Sequence, residues 1–211
     1  STLISWSPDA VELKFQRNVF RTEAFHKGLF EVQDASSQMV SEFLNVQPGM
    51  RVVDACAGAG GKTLHLASLM KNKGRIIALD VKARKLEELK KRAARADVRI
   101  VEIRPIDSSK VIKRLKDTAD RLLLDVPCSG LGVLRRNPDS KWKLTLTEIE
   151  RVKVLQKEIL TNFSDITKVG GKMVYATCSI LPSEGEDQIK WFLETVGDKW
   201  NLLGEKRYSP C

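Results

Sequence analysis

Two cysteines in this chain each close a short motif at the end of an apolar run. Asp125-Val126-Pro127-Cys128-Ser129-Gly130 follows Arg121-Leu122-Leu123-Leu124, and Thr177-Cys178-Ser179 follows Lys172-Met173-Val174-Tyr175-Ala176. A lone cysteine is ordinarily a small buried hydrophobe. Two that each stand just past the carboxyl end of a strand are different, because open α/β sheets bind their ligands there. A thiol in that position is a nucleophile that can divide one hard step into easier ones through a covalent intermediate. Asp125 adds a carboxylate ahead of Cys128 that can steady charge developing on a bound substrate.

A second constellation reads Asp54-Ala55-Cys56-Ala57-Gly58-Ala59-Gly60-Gly61-Lys62-Thr63. A phosphate-binding P-loop requires glycine where Cys56 stands. A dinucleotide fingerprint requires a third glycine where Thr63 stands. What does fit is an acidic residue four positions ahead of a Gly-x-Gly: Asp54, Gly58 and Gly60. This is the S-adenosylmethionine loop of Rossmann-like methyltransferases. The glycines let backbone approach a ligand closely, and the following helix offers N–H groups to its carboxylate. Asp80 ends the next strand and can accept hydrogen bonds from ribose hydroxyls. Asp107 follows the third strand and can hold the adenine amino group. An enzyme methylating nitrogen would carry an aromatic residue after Pro127 for stacking. Cys128 stands there instead and argues against that chemistry.

The elements that must position these residues alternate. Arg51–Ala55, Arg75–Asp80, Val98–Ile103, Arg121–Val126 and Lys172–Ala176 read as strands, apolar nearly throughout. Between them lie helical patterns over 36–44, 62–70, 83–95 and a long one opened by the capping box Thr147-x-x-Glu150. That helix carries the stripe Ile149, Val152, Leu155, Ile159, Phe163 and Ile166, and Gly170-Gly171 closes the region. Ser183-x-x-Glu186 caps a last helix. Continuous apolar strands alternating with helices predict an α/β, mostly parallel, doubly wound sheet. The expected organisation is an N-terminal extension over 1–35, with aromatic anchors Phe15, Phe20, Phe25 and Phe30, and a catalytic domain over 36–211.

Length and composition are those of one α/β domain with a core of its own. No apolar run reaches the ~18 residues of a membrane span, and the start does not read as a signal peptide. The expected setting is cytoplasmic, with reduced thiols and a monomer. Cys56, Cys128, Cys178 and Cys211 form no C-x-x-C pair, and the histidines are His26 and His65, so no metal ion is expected. The formal net charge of +9 favours a polyanionic partner. The basic run from Lys82 to Arg92 includes Glu87 and Glu88 and reads as the solvated face of a helix.

These motifs together resemble the Fmu/Sun family of RNA cytosine-C5 methyltransferases, and most of all its bacterial branch acting on 16S ribosomal RNA. The resemblance runs from about Phe25 to Leu193. Its parts are Phe25-His26-Lys27-Gly28-Leu29-Phe30-Glu31-Val32-Gln33-Asp34-Ala35-Ser36-Ser37-Gln38, the glycine-rich loop, the Pro-Cys motif, Gly132-Val133-Leu134-Arg135-Arg136-Asn137-Pro138-Asp139, and Thr-Cys-Ser. It implies Cys178 as the nucleophile and Cys128 as an aid to product release. Cys56, Ala57, Gly58, Ala59, Gly60, Gly61, Lys62, Asp80, Asp107 and Asp125 would line the cofactor and base site. In the similar DNA enzymes the Pro-Cys thiol attacks, and Thr-Cys-Ser tips this chain to RNA.

The thiol answers a chemical need. C5 of cytosine is too electron-poor to attack a methyl sulfonium until a thiolate has added to C6. The base must leave its stack to be reached from both faces, which favours single-stranded or loop RNA. Arg135 and Arg136 are expected to contact phosphates, while Trp142 either packs their loop down or stacks on a base. Ribosomal RNA is the expected substrate, with transfer RNA and a non-catalytic assembly module as alternatives. The chain departs from the family in four places. Gly58-Ala59 replaces Ala-Pro, and Glu184-Gly185-Glu186 stands where Glu-Asn is usual. Trp200–Tyr208 is expected to supply one strand of a terminal hairpin without its last strand, and no separate N-terminal RNA-binding domain is expected. The expected reading is an excised catalytic domain.

Overall fold

The computed structural model describes residues 2–15, 18–139, 142, 144–196 and 199–208. Cys211 lies outside the described residues. Strands β1 (Thr2–Ile4) and β2 (Ser7–Glu12) form an antiparallel hairpin. A 3-10 turn, Val19–Arg21, and the short helix α1 (Glu23–His26) follow. Then come α2 (Ala35–Leu44), β3 (Arg51–Asp54), α3 (Gly61–Leu69), β4 (Arg75–Asp80), α4 (Ala83–Arg95), β5 (Val101–Pro105), α5 (Ser109–Lys113) and β6 (Ala119–Asp125). After a 3-10 turn at Leu131–Val133 come α6 (Leu146–Ser164), β7 (Thr167–Ala176), a further 3-10 turn at Pro182–Glu184, and α7 (Glu186–Val196).

The five-stranded sheet has the order β5-β4-β3-β6-β7. β3 pairs in parallel with β4 and β6, and β4 in parallel with β5. With its flanking helices this is the Rossmann-like α/β methyltransferase fold that the strand–helix alternation predicts. The apolar strands are buried on both faces: Val52, Val53, Ile76, Ile77, Ala78, Leu79, Leu122, Leu123 and Leu124 are fully inaccessible. Each large aliphatic chain so buried contributes about 1.5–3 kcal/mol of transfer free energy.

The chain divides into two compact units, Ser1–Leu123 with Ile166–Val174, and Leu124–Asp165 with Tyr175–Cys211. In the first, α4 buries Leu86, Leu89 and Ala93 against Ala57, Leu64 and Ala78. Its charged face stays exposed from Lys82 to Lys91, but Arg92, read from sequence as the end of that solvated face, is partly buried against Glu31 and the Ala59 carbonyl. In the second, α6 buries Val152, Ile159 and Phe163, and also Gln156.

Several local expectations change. The N-cap of α6 is Thr145, whose hydroxyl accepts the Glu148 N–H at 3.2 Å. The T-x-x-E pattern occurs twice, two residues apart, and in the second copy Glu150 pairs instead with Lys153. Gly170 and Gly171 do not separate helix from strand, since both lie within β7. A Cβ on Gly171 would fall 2.7 Å from the Thr167 side chain, so the strand itself needs that glycine. The third strand begins at Val101 instead of Val98. α7 begins at Glu186, so Ser183 lies in the preceding 3-10 turn. Residues 201–208 form no strand. Phe15 is 72% exposed, whereas Phe20, 55% exposed, meets Phe25 edge-on at 5.1 Å and Phe25 in turn meets Phe30 at 5.7 Å.

Candidate active site

In the first unit the loop after β3 is built chiefly from backbone. Asp54 is buried, and its Oδ2 accepts the Thr63 hydroxyl at 2.7 Å, tying the strand end to the first turn of α3. The Ala57 N–H donates to the Leu79 carbonyl at 2.9 Å, and the Gly58 N–H to Asp80 Oδ2 at 2.9 Å. Asp80 Oδ1 accepts the Lys82 N–H at 2.7 Å. Each carboxylate oxygen has two lone-pair sites, so Asp80 braces the loop and still has acceptor capacity for ribose hydroxyls. Asp107 is exposed beyond β5. The Ile106 N–H donates to the Asp80 carbonyl at 3.0 Å, which places that turn beside Asp80.

Two glycines show why the loop has this composition. Gly60 is the N-cap of α3 with φ +87, and a Cβ there would lie 2.1 Å from Leu89 Cδ1. Gly58 has φ +57, and a Cβ there would meet nothing within 4 Å. Gly60 thus serves packing, whereas Gly58 leaves open space at the loop surface. No side chain caps α3, so its N-terminal N–H groups suit a carboxylate ligand. Cys56 to Lys62, with Asp80 and Asp107, can therefore hold S-adenosylmethionine.

The Phe25–Gln38 motif braces this loop from behind. Arg92 donates to the Ala59 carbonyl at 2.8 Å and to Glu31 at 3.0 and 3.1 Å. Arg95 pairs with Glu31 and lies 4.0 Å over the Phe25 ring. A Cβ on Gly28 would fall 2.1 Å from the Arg95 carbonyl oxygen, which explains the glycine. In the same unit buried His65 directs Nε2 to Asp9 Oδ2 at 3.0 Å, with Glu42 alongside.

In the second unit Cys128 and Cys178 come together, with Sγ atoms 3.2 Å apart. The Val126 N–H donates to the Ala176 carbonyl at 3.0 Å and sets the two motifs side by side. The Gly132 N–H donates to the Cys178 carbonyl at 2.8 Å. A Cβ on Gly132 would lie 2.5 Å from that oxygen, so glycine alone permits the approach. Cys178 is exposed and Cys128 partly buried. The Cys178 thiol lowers the Cys128 pKa from 9.0 to about 6; burial opposes this, and the Thr177 hydroxyl and the N–H groups of Gly130 and Cys178 reinforce it. The pair therefore carries a shared negative charge near neutral pH.

Sequence reasoning missed the residues that surround this pair. Ser129 and Ser179, each directly after a cysteine, both donate to Glu184. Gln156 reaches the same carboxylate from α6 at 3.0 Å. The Tyr175 hydroxyl donates to the Glu184 carbonyl at 2.8 Å, and burial, then the Cys128 and Glu184 charges, push its pKa up. No one-dimensional signal joins Ser129, Gln156 and Glu184. Asp125 ends β6 and is partly buried. Arg135 and Arg136 are exposed just past the Leu131–Val133 turn. Trp142 is 80% exposed.

No helix among the described residues is long and apolar enough to cross a membrane. The profile of the 16S rRNA methyltransferase RsmB/F family matches residues 41–208. A probable ribosomal RNA small subunit methyltransferase B of Synechocystis is 42% identical over 82% of this chain and 39% of its own length. Among solved structures, PH0851 superposes with a TM-score of 0.82 at 38% identity, over 86% of this chain and 41% of that one. NSun6 from Pyrococcus horikoshii, solved with the S-adenosylmethionine analogue SFG, superposes with a TM-score of 0.78 at 30% identity, over 85% and 46%. The chain thus spans less than half the length of these relatives. The match over residues 41–208 and the relative 42% identical over 82% of the chain show that it belongs to the 16S rRNA methyltransferase RsmB/F family of S-adenosylmethionine-dependent RNA methyltransferases.

Proposed function

We propose that this chain transfers a methyl group from S-adenosylmethionine to C5 of a cytosine in RNA, with small-subunit ribosomal RNA as substrate. The observation that carries the reading is the pair of thiols 3.2 Å apart, one in Pro-Cys128 and one in Thr-Cys178-Ser. S-adenosylmethionine, when bound, supplies an electrophilic methyl group. The chain supplies everything that makes C5 able to take it.

Cys178 is the exposed thiol and the one a flipped base can reach. Passing its proton across 3.2 Å to the Cys128 sulfur leaves the thiolate on Cys178. That sulfur adds to C6 of cytosine, and the electron pair released along the ring makes C5 nucleophilic. Asp125 accepts a hydrogen bond from the exocyclic amine and holds the ring in position for attack. C5 takes the methyl group, the C5 proton passes to solvent water, and the C5=C6 bond re-forms as the Cys178 sulfur leaves as a thiolate. Cys128, next to that sulfur, assists the elimination.

In the first unit Cys56, Ala57, Gly58, Ala59, Gly60, Gly61 and Lys62 cradle the cofactor. Asp80 accepts from its ribose and Asp107 from its adenine amine. Arg135 and Arg136 bind phosphates flanking the target base. Residues 36–211 are the catalytic domain and residues 1–35 an extension that braces the loop through Glu31.

Tritiated S-adenosylmethionine with unmethylated 16S ribosomal RNA tests this reading, with unmethylated transfer RNA in parallel. The expected product is 5-methylcytosine in the ribosomal RNA, absent with Cys178→Ala, with Cys128→Ala accumulating a gel-stable protein–RNA adduct. Label in transfer RNA alone would reassign the substrate. Activity that survives Cys178→Ala would overturn the mechanism.

A further inference from the structure

Glu184 is completely buried, at the end of the 3-10 turn that follows Cys178. Its Oε1 accepts the Ser179 hydroxyl at 2.6 Å and also the Ser129 hydroxyl. Its Oε2 accepts the Ser129 N–H at 2.8 Å and the Gln156 side-chain amide at 3.0 Å. All four partners are donors. An ionised carboxylate offers about four acceptor sites and no donor, so it alone among side chains can satisfy all four at once. A glutamine of the same shape would turn its NH2 toward at least one N–H or O–H.

The serine oxygens are 3.0 Å apart. Each hydroxyl lies within hydrogen-bond distance of both Oε1 and the other hydroxyl, so the carboxylate and the two serines form one closed set of contacts. Burial opposes ionisation of Glu184, but the Ser129 and Ser179 hydroxyls, the Ser129 N–H and the Gln156 amide outweigh it and hold the carboxyl below its ordinary range.

We propose that ionised Glu184 is a positioning residue that sets the separation of Cys128 and Cys178 by holding the residue after each one. Ser129 and Ser179 are the neighbours of the two cysteines in the chain, and the carboxylate joins them across 50 residues of sequence. The Val126 N–H to the Ala176 carbonyl and the Gly132 N–H to the Cys178 carbonyl set the two loops side by side through backbone, and the carboxylate adds the side-chain tie at the residues directly after the cysteines. Geometry at a reacting centre is worth much: a misplacement of about 1 Å costs on the order of 10²-fold in rate. This role in catalysis rests on the covalent cytosine mechanism above, whereas the effect on the thiols does not.

The test is Glu184→Gln in the full chain, read first without RNA. Mass spectrometry of iodoacetamide-treated protein gives the alkylation of Cys128 and Cys178 as a function of pH. In the parent chain the Cys128 half-point is expected near pH 6. In Glu184→Gln it moves up toward that of an ordinary thiol, with S-adenosylmethionine affinity unchanged. With 16S ribosomal RNA, kcat falls roughly 10²-fold while KM stays within about threefold. In a Ser129→Ala, Ser179→Ala background, Glu184→Gln adds less than about threefold, because the three act as one unit. A folded Glu184→Gln chain with an unmoved alkylation profile overturns the proposal. Should that chain not fold, the double serine variant decides by the same profile, and an unmoved half-point again overturns it. An inactive parent chain with a shifted profile in the variant would reject the proposed reaction and keep the clamp.

Discussion

The loop after β3 and the loops after β6 and β7 solve similar positioning problems with different materials. The first is held by backbone: N–H groups of Ala57 and Gly58 reach Leu79 and Asp80, and Gly60 fits under Leu89 because it has no Cβ. The thiol loops have backbone ties of their own, from Val126 to Ala176 and from Gly132 to Cys178, and add side chains converging on one buried carboxylate. A backbone-built site presents N–H groups to a ligand and gains its shape from glycine. A side-chain-built site must keep reactive groups exact in position while leaving them exposed. It does this from the neighbouring residues, so that the cysteines themselves stay available.

The contrast can be broken at several points. The largest effect is expected from Cys178→Ala, which removes the attacking atom and lowers methyl transfer by at least about 10³-fold, while cofactor affinity measured by calorimetry stays unchanged. Next, alkylation of Cys128 should rise with pH through a half-point near 6, where an unperturbed thiol has 9.0. The sign follows from a depressed pKa. The partners of the thiolate contribute stability that is fully present above the unfolded value and is lost as pH falls through about 6. Replacing Cys178 with alanine should move the Cys128 half-point upward, since the Cys178 thiol is the main cause of the shift.

Paired glycine substitutions sharpen the comparison. Gly60→Ala meets Leu89 and a positive φ, and is expected to destabilise by about 1–3 kcal/mol and to weaken cofactor binding. Gly132→Ala meets the Cys178 carbonyl and should disturb the thiol profile while leaving cofactor binding intact. Thermal unfolding with calorimetry separates them, and equal effects on both readouts would erase the distinction. Arg135→Ala with Arg136→Ala should weaken RNA binding and reduce the salt slope by about 1–2, seen by filter binding at several salt concentrations. The smallest effect, about 1 kcal/mol or less, is expected for Glu31→Gln. It loosens the Arg92 brace on the Ala59 carbonyl, while the glutamine side-chain oxygen can still accept from the guanidinium groups.

The sequence by itself determined the architecture and most of the candidate site. Continuous apolar strands such as Ile76–Leu79 have to be covered on both faces, and this alone dictates a parallel sheet between helices. The glycine-rich loop was legible because positive φ and close approach leave glycine as their mark. The cysteines were legible because thiols at two strand ends are rare without chemistry. Helix starts were less so: two overlapping T-x-x-E patterns differ in sequence by nothing that selects one, and the choice of Thr145 came with the packing of α6. Only the tertiary structure decided that the two sulfurs lie 3.2 Å apart, and that Glu184, Gln156, Ser129 and Ser179 form one cluster. The same holds for His65 with Asp9 and Glu42. The physical reason is common to these cases. A local backbone requirement is written in the residue that meets it, whereas a hydrogen bond across many residues leaves ordinary serines, glutamines and glutamates whose meaning appears only where the chain brings them together.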